Sequence, residues 1–261
     1  MLGHVLATEL LKLRRSKITW LSWLAFSVVM PLIGGLFMWI VQDPSRAAKL
    51  GLLGKKSQFA GVTADWPSYF TLLLQTTGIG GMILVSVIAA YVFGREYSDG
   101  TAKNMLALPV GRHWFVAAKL AVVLMWFAAL TVWLIGEGFA VCWLLQLPGF
   151  SSELAVTSVG SILLAALVAW MLVPAVALMA AFGRGYFAPL GFTIFTLVLG
   201  TVLGATGWGK WFPWSIVPLF AGVAGPRVET LASGSLVVLS LTFLAGVTAT
   251  VCQLRRADNA Q

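Results

Sequence analysis

Charge is what this sequence has least of. Only 10% of its 261 residues are charged, against 59% hydrophobic, where soluble domains carry about 25% charged residues. That scarcity excludes a soluble enzyme or binding module, and the apolar residues run the whole length, leaving no stretch for a separate soluble domain. Cysteine is nearly absent too. Cys142 and Cys252 are too few for a disulfide framework, and the topology below sends them to opposite membrane faces. Histidine is limited to His4 and His113, with no Cys or carboxylate at ligand spacing, which argues against a metal site. Neither a Gly-x-Ser-x-Gly nor a His-Glu-x-x-His motif occurs. Gly51 to Ser57 resembles a phosphate loop on the surface, but Lys49 stands where its first glycine should be, so it is rejected as a nucleotide site. No cleavable signal peptide is evident, because the first apolar run is long enough to span a membrane.

What is present is a series of long apolar runs, which predicts an all-α, polytopic membrane protein forming one transmembrane domain over 1–261. Spans are expected at about 18–41, 67–93, 114–145, 156–182, 186–205 and 235–254, each enough to cross a ~30 Å hydrocarbon core. Pro31 with Gly34 and Gly35, and later Pro174, mark expected kinks. Asp65 with Pro67 reads as the capped start of the second span. Residues 2–17 carry Leu2, Val5, Leu6, Leu10 and Leu13 at helical spacing, with Lys12, Arg14, Arg15 and Lys17 at the end. They read either as an amphipathic helix lying in the membrane interface or as a positive flank of the first span. Lys119, near the start of the third span, is expected to snorkel to the interface.

The net charge of +8 is placed beside membrane spans, which assigns it to topology and lipid headgroups, not nucleic acid. With the N-terminus inside, eleven Lys and Arg residues face the cytoplasm and six face outward. That is the positive-inside pattern for six spans with both termini cytoplasmic and a multi-pass protein of the cell membrane.

The most polar interval between two spans is 95–112. Gly100 permits a tight turn. Thr101 or Asp99 can cap a short helix that Pro109 ends. Met105, Leu106 and Leu108 would project from it as apolar knobs. So short a helix is unstable alone in water, so it is expected to dock on a cytosolic partner. Arg95 and Glu96 either transmit motion to that partner or merely end the second span at the surface. Glu137, between Gly136 and Gly138 in the third span, either lines a pathway and meets a polar or cationic part of a substrate, or sits solvated near the headgroups. Gly207 to Pro218, with Trp208, Trp211 and Trp214, reads as interfacial or re-entrant backbone, not a span. It is an interface anchor or a ligand site.

The run Phe93-Gly94-Arg95-Glu96-Tyr97-Ser98-Asp99-Gly100-Thr101-Ala102-Lys103-Asn104, continuing through Leu108-Pro109, Arg112 and Lys119, resembles permease subunits of type-2 ABC transporters. It is similar in particular to the bacterial subgroup of bacitracin-resistance and lantibiotic-immunity permeases. Glu9-Leu10-Leu11-Lys12-Leu13-Arg14-Arg15-Ser16 and Phe212-Pro213-Trp214-Ser215 agree with it. The resemblance implies a six-helix permease with an amphipathic N-terminal helix. Arg95, Glu96, Thr101, Met105, Leu106 and Leu108 would then contact a separate ATPase, and Trp211, Phe212, Pro213 and Trp214 would lie at the outer mouth. It also implies two permeases, identical or homologous, with two cytosolic ATPase subunits that bind ATP and Mg, no cofactor being expected in this chain. The function implied is ATP-driven export of an amphipathic or lipid-like substrate, a peptide antibiotic being one candidate. The rivals are a membrane anchor or sensory subunit that docks an ATPase without transport, an ion-coupled secondary carrier, and an intramembrane enzyme. The last has only Glu137 to work with.

Overall fold

Helices alone make up the regular structure of the computed structural model, among the residues it describes: 2–28, 33–49, 63–101, 111–224 and 231–259. In chain order they are α1 (Leu2–Arg14), α2 (Lys17–Val28), α3 (Leu36–Gln42), α4 (Pro44–Lys49), α5 (Trp66–Thr76), α6 (Met82–Ser98), α7 (Arg112–Leu144), α8 (Ser152–Met171), α9 (Val173–Gly183), α10 (Phe187–Gly204), α11 (Pro213–Phe220) and α12 (Ser233–Asn259). Among the described residues, six segments are long and apolar enough to cross a membrane: Lys17–Gln42, Trp66–Ser98, Arg112–Leu144, Ser152–Gly183, Phe187–Gly204 and Ser233–Arg256. Pro31 lies outside the described residues.

Local chemistry explains the breaks. The Asp65 side chain accepts a hydrogen bond from the Ser68 amide at 2.8 Å, and Pro67 occupies the first turn of α5. Asp65 thus satisfies one of the amides that a helix start leaves open. Ser151 does the same for α8 through the Leu154 amide. Between α5 and α6 the helix widens into a π turn at Thr77–Gly81. There Gly78 lies so close to α11 that a Cβ would stand 2.5 Å from the Ala221 methyl. Pro174 has no amide proton and crowds the preceding turn, so the fourth span breaks at Leu172 and restarts as α9. α12 crosses that break at Gly246, where a Cβ would be 2.8 Å from Pro174, and Thr250 Oγ1 donates to the Pro174 carbonyl at 3.3 Å.

The core lies among the second, third and fourth spans. Tyr69, Phe70, Leu73, Ile88, Phe127, Leu130 and Leu134 are fully buried there. Lipid tails are as apolar as leucine, so such contacts stabilise by close packing instead of by removal from water. Beyond α10 the chain folds back. The Trp214 carbonyl would be 2.6 Å from a Cβ at Gly200, and Ala224 would be 2.6 Å from one at Gly204. α11 is therefore held against α10 with Ser215, Ile216, Val217 and Phe220 buried, an eight-residue helix too short to span.

α1 packs part of its apolar face on the bundle, with Leu13 buried and Leu6 and Leu10 partly buried against the core. One expectation changes. Lys119 does not snorkel; it is only 4% exposed, because two carboxylates wait for it inside the bundle.

Candidate functional site

The second span does not stop at Phe93. Its helix continues to Ser98, which places Arg95 and Glu96 on α6 itself, on different faces. Glu96 points inward and is 6% exposed. Its Oε1 accepts from Lys12 Nζ at 3.3 Å and its Oε2 lies 2.9 Å from Lys119 Nζ. Glu9, equally buried, repeats the pattern: Oε1 is 2.7 Å from Lys12 Nζ and Oε2 is 3.5 Å from Lys119 Nζ. The four side chains close a ring of alternating charge in which every member touches both members of opposite sign. They come from three elements, α1, α6 and α7. Lys119 Nζ also donates to the Val92 carbonyl at 2.6 Å and sits 5.7 Å from the Phe93 ring centre.

A ring of two carboxylates and two ammonium groups is neutral, which offsets the burial of Glu9, Glu96 and Lys119, while Lys12 stays part-exposed. Each ion alone would cost several kcal/mol to desolvate. Burial pulls the Lys12 ammonium toward neutrality, but the hydrogen bond and charge of Glu9, then those of Glu96, outweigh it, so its pKa lies above the ordinary lysine value.

Arg95 takes the other face of α6. Its Nε donates to Asp99 Oδ2 at 3.1 Å, and its guanidinium lies 5.7 Å from the Tyr91 ring centre. Tyr91 stacks on Tyr186, with centroids 6.1 Å apart and planes 8° from parallel. Beside them the backbones meet, since a Cβ at Gly94 would be 2.8 Å from the Gly185 carbonyl oxygen. The turn joining α9 to α10 therefore rests against α6 just before the chain leaves it. Gly100, at φ +69°, makes the exit in a left-handed conformation that favours glycine. Asp99 closes α6 as its C-cap, its carboxylate held by Arg95. The Thr101 hydroxyl donates back to the Glu96 carbonyl at 3.4 Å. Met105, Leu106 and Leu108 fall in 102–110, outside the described residues.

Glu137 stands about two turns from the far end of α7, at a depth mirroring that of Lys119 near the start. It is half-buried. Trp133 Nε1 donates to its Oε1 at 2.7 Å and is 2.8 Å from Ser27 Oγ. Its Oε2 is buried without a hydrogen-bond partner. A groove of about 720 Å³ on this flank of α7 is lined by Ala128, Val132, Trp133, Gly136, Glu137 and Ala140. Gly138 faces the other way and lets Leu73 seat closely against α7, a Cβ there falling 2.4 Å from Leu73 Cδ1.

In the tryptophan-rich segment, Trp208 and Trp211 are exposed, while Phe212, Pro213 and Trp214 are half-buried. Trp214 packs edge-on against Phe192, with centroids 5.4 Å apart. Lys210 Nζ lies 5.8 Å from the Trp211 ring centre. Among the described residues no group of three His, Cys, Asp or Glu side chains is placed to hold a metal ion. Cys142 is buried and Cys252 exposed, both free.

The sequence reading singled out Glu96 but missed Glu9, Lys12 and Lys119 as its partners. A usable signal existed: a glutamate among leucines three residues before a lysine, and one lysine two turns inside an apolar helix. Helical spacing pairs the first two. It says nothing of contacts across 84 and 110 residues of chain.

Comparison with known proteins agrees with this architecture. A family model described as ABC-2 family transporter protein matches residues 5–200, a stretch that contains the ring, the exit from α6 and Glu137. The bacitracin transport permease protein BCRB of Bacillus licheniformis is 27% identical over 204 residues, covering 77% of this chain and 93% of that protein. With six apolar spans and a match over most of its length, the chain is a multi-pass protein of the cell membrane and belongs to the ABC-2 transporter family as a permease subunit.

Proposed function

We propose that this permease exports an amphipathic or lipid-like substrate, a peptide antibiotic such as bacitracin being the first candidate, powered by ATP bound with Mg in separate cytosolic subunits. Two such ATPases and a second permease copy, or a homologous one, complete the transporter. Both termini are cytoplasmic, as is the segment 95–112. Arg95, Glu96 and Thr101 lead into it, and Met105, Leu106 and Leu108 dock on the ATPase. Trp211, Phe212, Pro213 and Trp214 lie at the outer mouth, where α11 re-enters the bundle. Glu137 lines the path and offers its open oxygen to a polar or cationic group of the substrate.

The observation that carries this reading is how the second span ends. Its last turn is fixed on both flanks, by charge on one and by stacked tyrosines on the other. Then one glycine turn releases it into the polar segment. A span that ended only to meet solvent would need neither fixture. ATP binding would draw the two ATPases together and move that end, and the paired permeases would reorient around a central path.

The reading is tested in inverted membrane vesicles by uptake of labelled bacitracin. Uptake that requires ATP and Mg, and persists when ion gradients are collapsed, is expected. Uptake driven by an ion gradient without ATP identifies a secondary carrier. No uptake, with an ATPase still bound to the chain, identifies an anchor or sensory subunit.

A further inference from the structure

Three charges, Glu9, Glu96 and Lys119, are buried where one would be costly, with Lys12 reaching them from a part-exposed position, and nothing about a pathway requires them. They do not face the groove beside Glu137. They stand at the root of the segment that leaves α6, and they join three elements. We infer that the ring of Glu9, Lys12, Glu96 and Lys119 is the joint that carries displacement of α6 into α1 and α7, with Lys119 as its positioning residue. This inference rests on the ATP-driven reading above.

The geometry supports a rigid joint. Each carboxylate uses one oxygen for Lys12 and the other for Lys119, at 2.7 and 3.5 Å for Glu9 and 3.3 and 2.9 Å for Glu96. Pulling α6 away from α1 separates Glu96 from Lys12. Pulling it from α7 separates Glu96 from Lys119 and removes the Val92 carbonyl from the same ammonium. Either motion takes from the buried Glu96 carboxylate one of its two ammonium partners, so the three elements move together. The opposite flank of α6 is built differently. There Tyr91 stacks on Tyr186 with planes 8° apart, and Gly94 meets the Gly185 backbone. Ser98 also hydrogen-bonds Tyr186 across this flank, but no ion pair crosses it, so rings, one hydroxyl contact and backbone shift past one another without leaving a charge unpaired. Displacement of the segment after Gly100 is thus delivered to α1 and α7 and slips against the α9–α10 turn. α1 becomes a moving part of the transporter, not a passive float in the interface.

The competing explanation is charge balance alone. Two double variants separate them, because both keep the site neutral. Lys119→Met with Glu9→Gln leaves Lys12 and Glu96, a pair that still links α1 to α6. Lys119→Met with Glu96→Gln leaves Lys12 and Glu9, a pair within α1. ATP hydrolysis is measured in the purified permease–ATPase complex, reconstituted in liposomes with Mg and ATP, relative to the ATPase alone. The joint predicts that the first double retains most of the permease-dependent rate and that the second loses about tenfold or more, with the ATPase still bound. Equal rates in the two doubles overturn the joint while leaving the transporter reading in place. A wild-type chain isolated without any ATPase overturns both. In the unaltered ring, spin labels at Thr8→Cys on α1 and His113→Cys on α7 should keep one separation with and without ATP. A separation that changes with ATP contradicts a rigid joint, whatever the variants do.

Discussion

Lys119 and Glu137 sit on the same helix, each about two turns from an end, and their surroundings are opposite. Lys119 has two carboxylates and a carbonyl around it. Glu137 has an indole on one oxygen, whose N–H also meets the Ser27 hydroxyl, and no partner on the other. The same contrast runs between the two ends of the second span. At the Ser98 end of α6 the neighbours are joined by charge. At the Trp66 end of α5 they are joined by rings and single hydrogen bonds: Trp66 stacks on Phe70 at 5.7 Å, and its Nε1 donates to the Leu147 carbonyl at 2.9 Å. The lesson is one of cost. A saturated group cannot be separated from its partners cheaply, so it suits a part that must move as one piece. An unsaturated carboxylate in a groove has bonding capacity left, so it suits transient contact with something else.

The contrast predicts a graded series of stabilities. Lys119→Met is the most damaging change, leaving two buried carboxylates to share Lys12. Loss of one partner from a buried pair costs about 3–5 kcal/mol, to be read as a drop in midpoint during thermal unfolding in detergent. Lys119→Arg, which keeps the charge, should lose clearly less. Trp66→Phe comes next. It keeps the ring stack but leaves the buried Leu147 carbonyl unpaired, for about 1–3 kcal/mol in the same measurement.

Asp65→Ala should cost about 0.5–2 kcal/mol, the usual worth of an N-cap. Its contribution should also vanish in acid. Burial raises the Asp65 pKa, but hydrogen bonds from Thr63 and Ser68 outweigh it and leave the carboxyl below its ordinary value. A group whose folded pKa is depressed stabilises above its unfolded pKa and loses that contribution as pH falls through the folded one. The gap between wild type and Asp65→Ala should therefore close below about pH 4. A gap unchanged with pH removes the capping argument.

Glu137→Gln should have the smallest effect on stability, within about 1 kcal/mol, because no ion pair is lost. Its effect on bacitracin uptake should be several-fold. A variant that melts far below wild type would show Glu137 to be structural and would erase the contrast with Glu96.

Much of this was legible in the sequence. The apolar runs located the spans, Asp65 with Pro67 marked a helix start, Pro174 marked the break in the fourth span, and the paired prolines and tryptophans around Pro213 marked chain that does not cross. These are local signals, written within a few residues of the feature they specify. The ring was not legible, because its contacts join positions 84 and 110 residues apart. Lys119 was expected to snorkel because one helix read alone cannot show that α1 and α6 bring carboxylates to it. The packing of Leu13 of α1 against the bundle was hidden for the same reason: amphipathic spacing tells which face is apolar, not what covers it. Arg95 and Glu96 were treated as a unit because they are adjacent, yet neighbouring residues on a helix point about 100° apart, and the two serve different flanks of α6.

The most direct test of the account is purification of the tagged chain from native membranes in mild detergent, with the proteins that accompany it identified, for wild type and for Leu106→Asp. The account predicts a P-loop ATPase in near-equal amount with wild type, lost from the variant although the variant still inserts. A wild-type chain that comes down alone, under conditions that preserve other membrane complexes, contradicts the claim that the end of the second span is a docking arm.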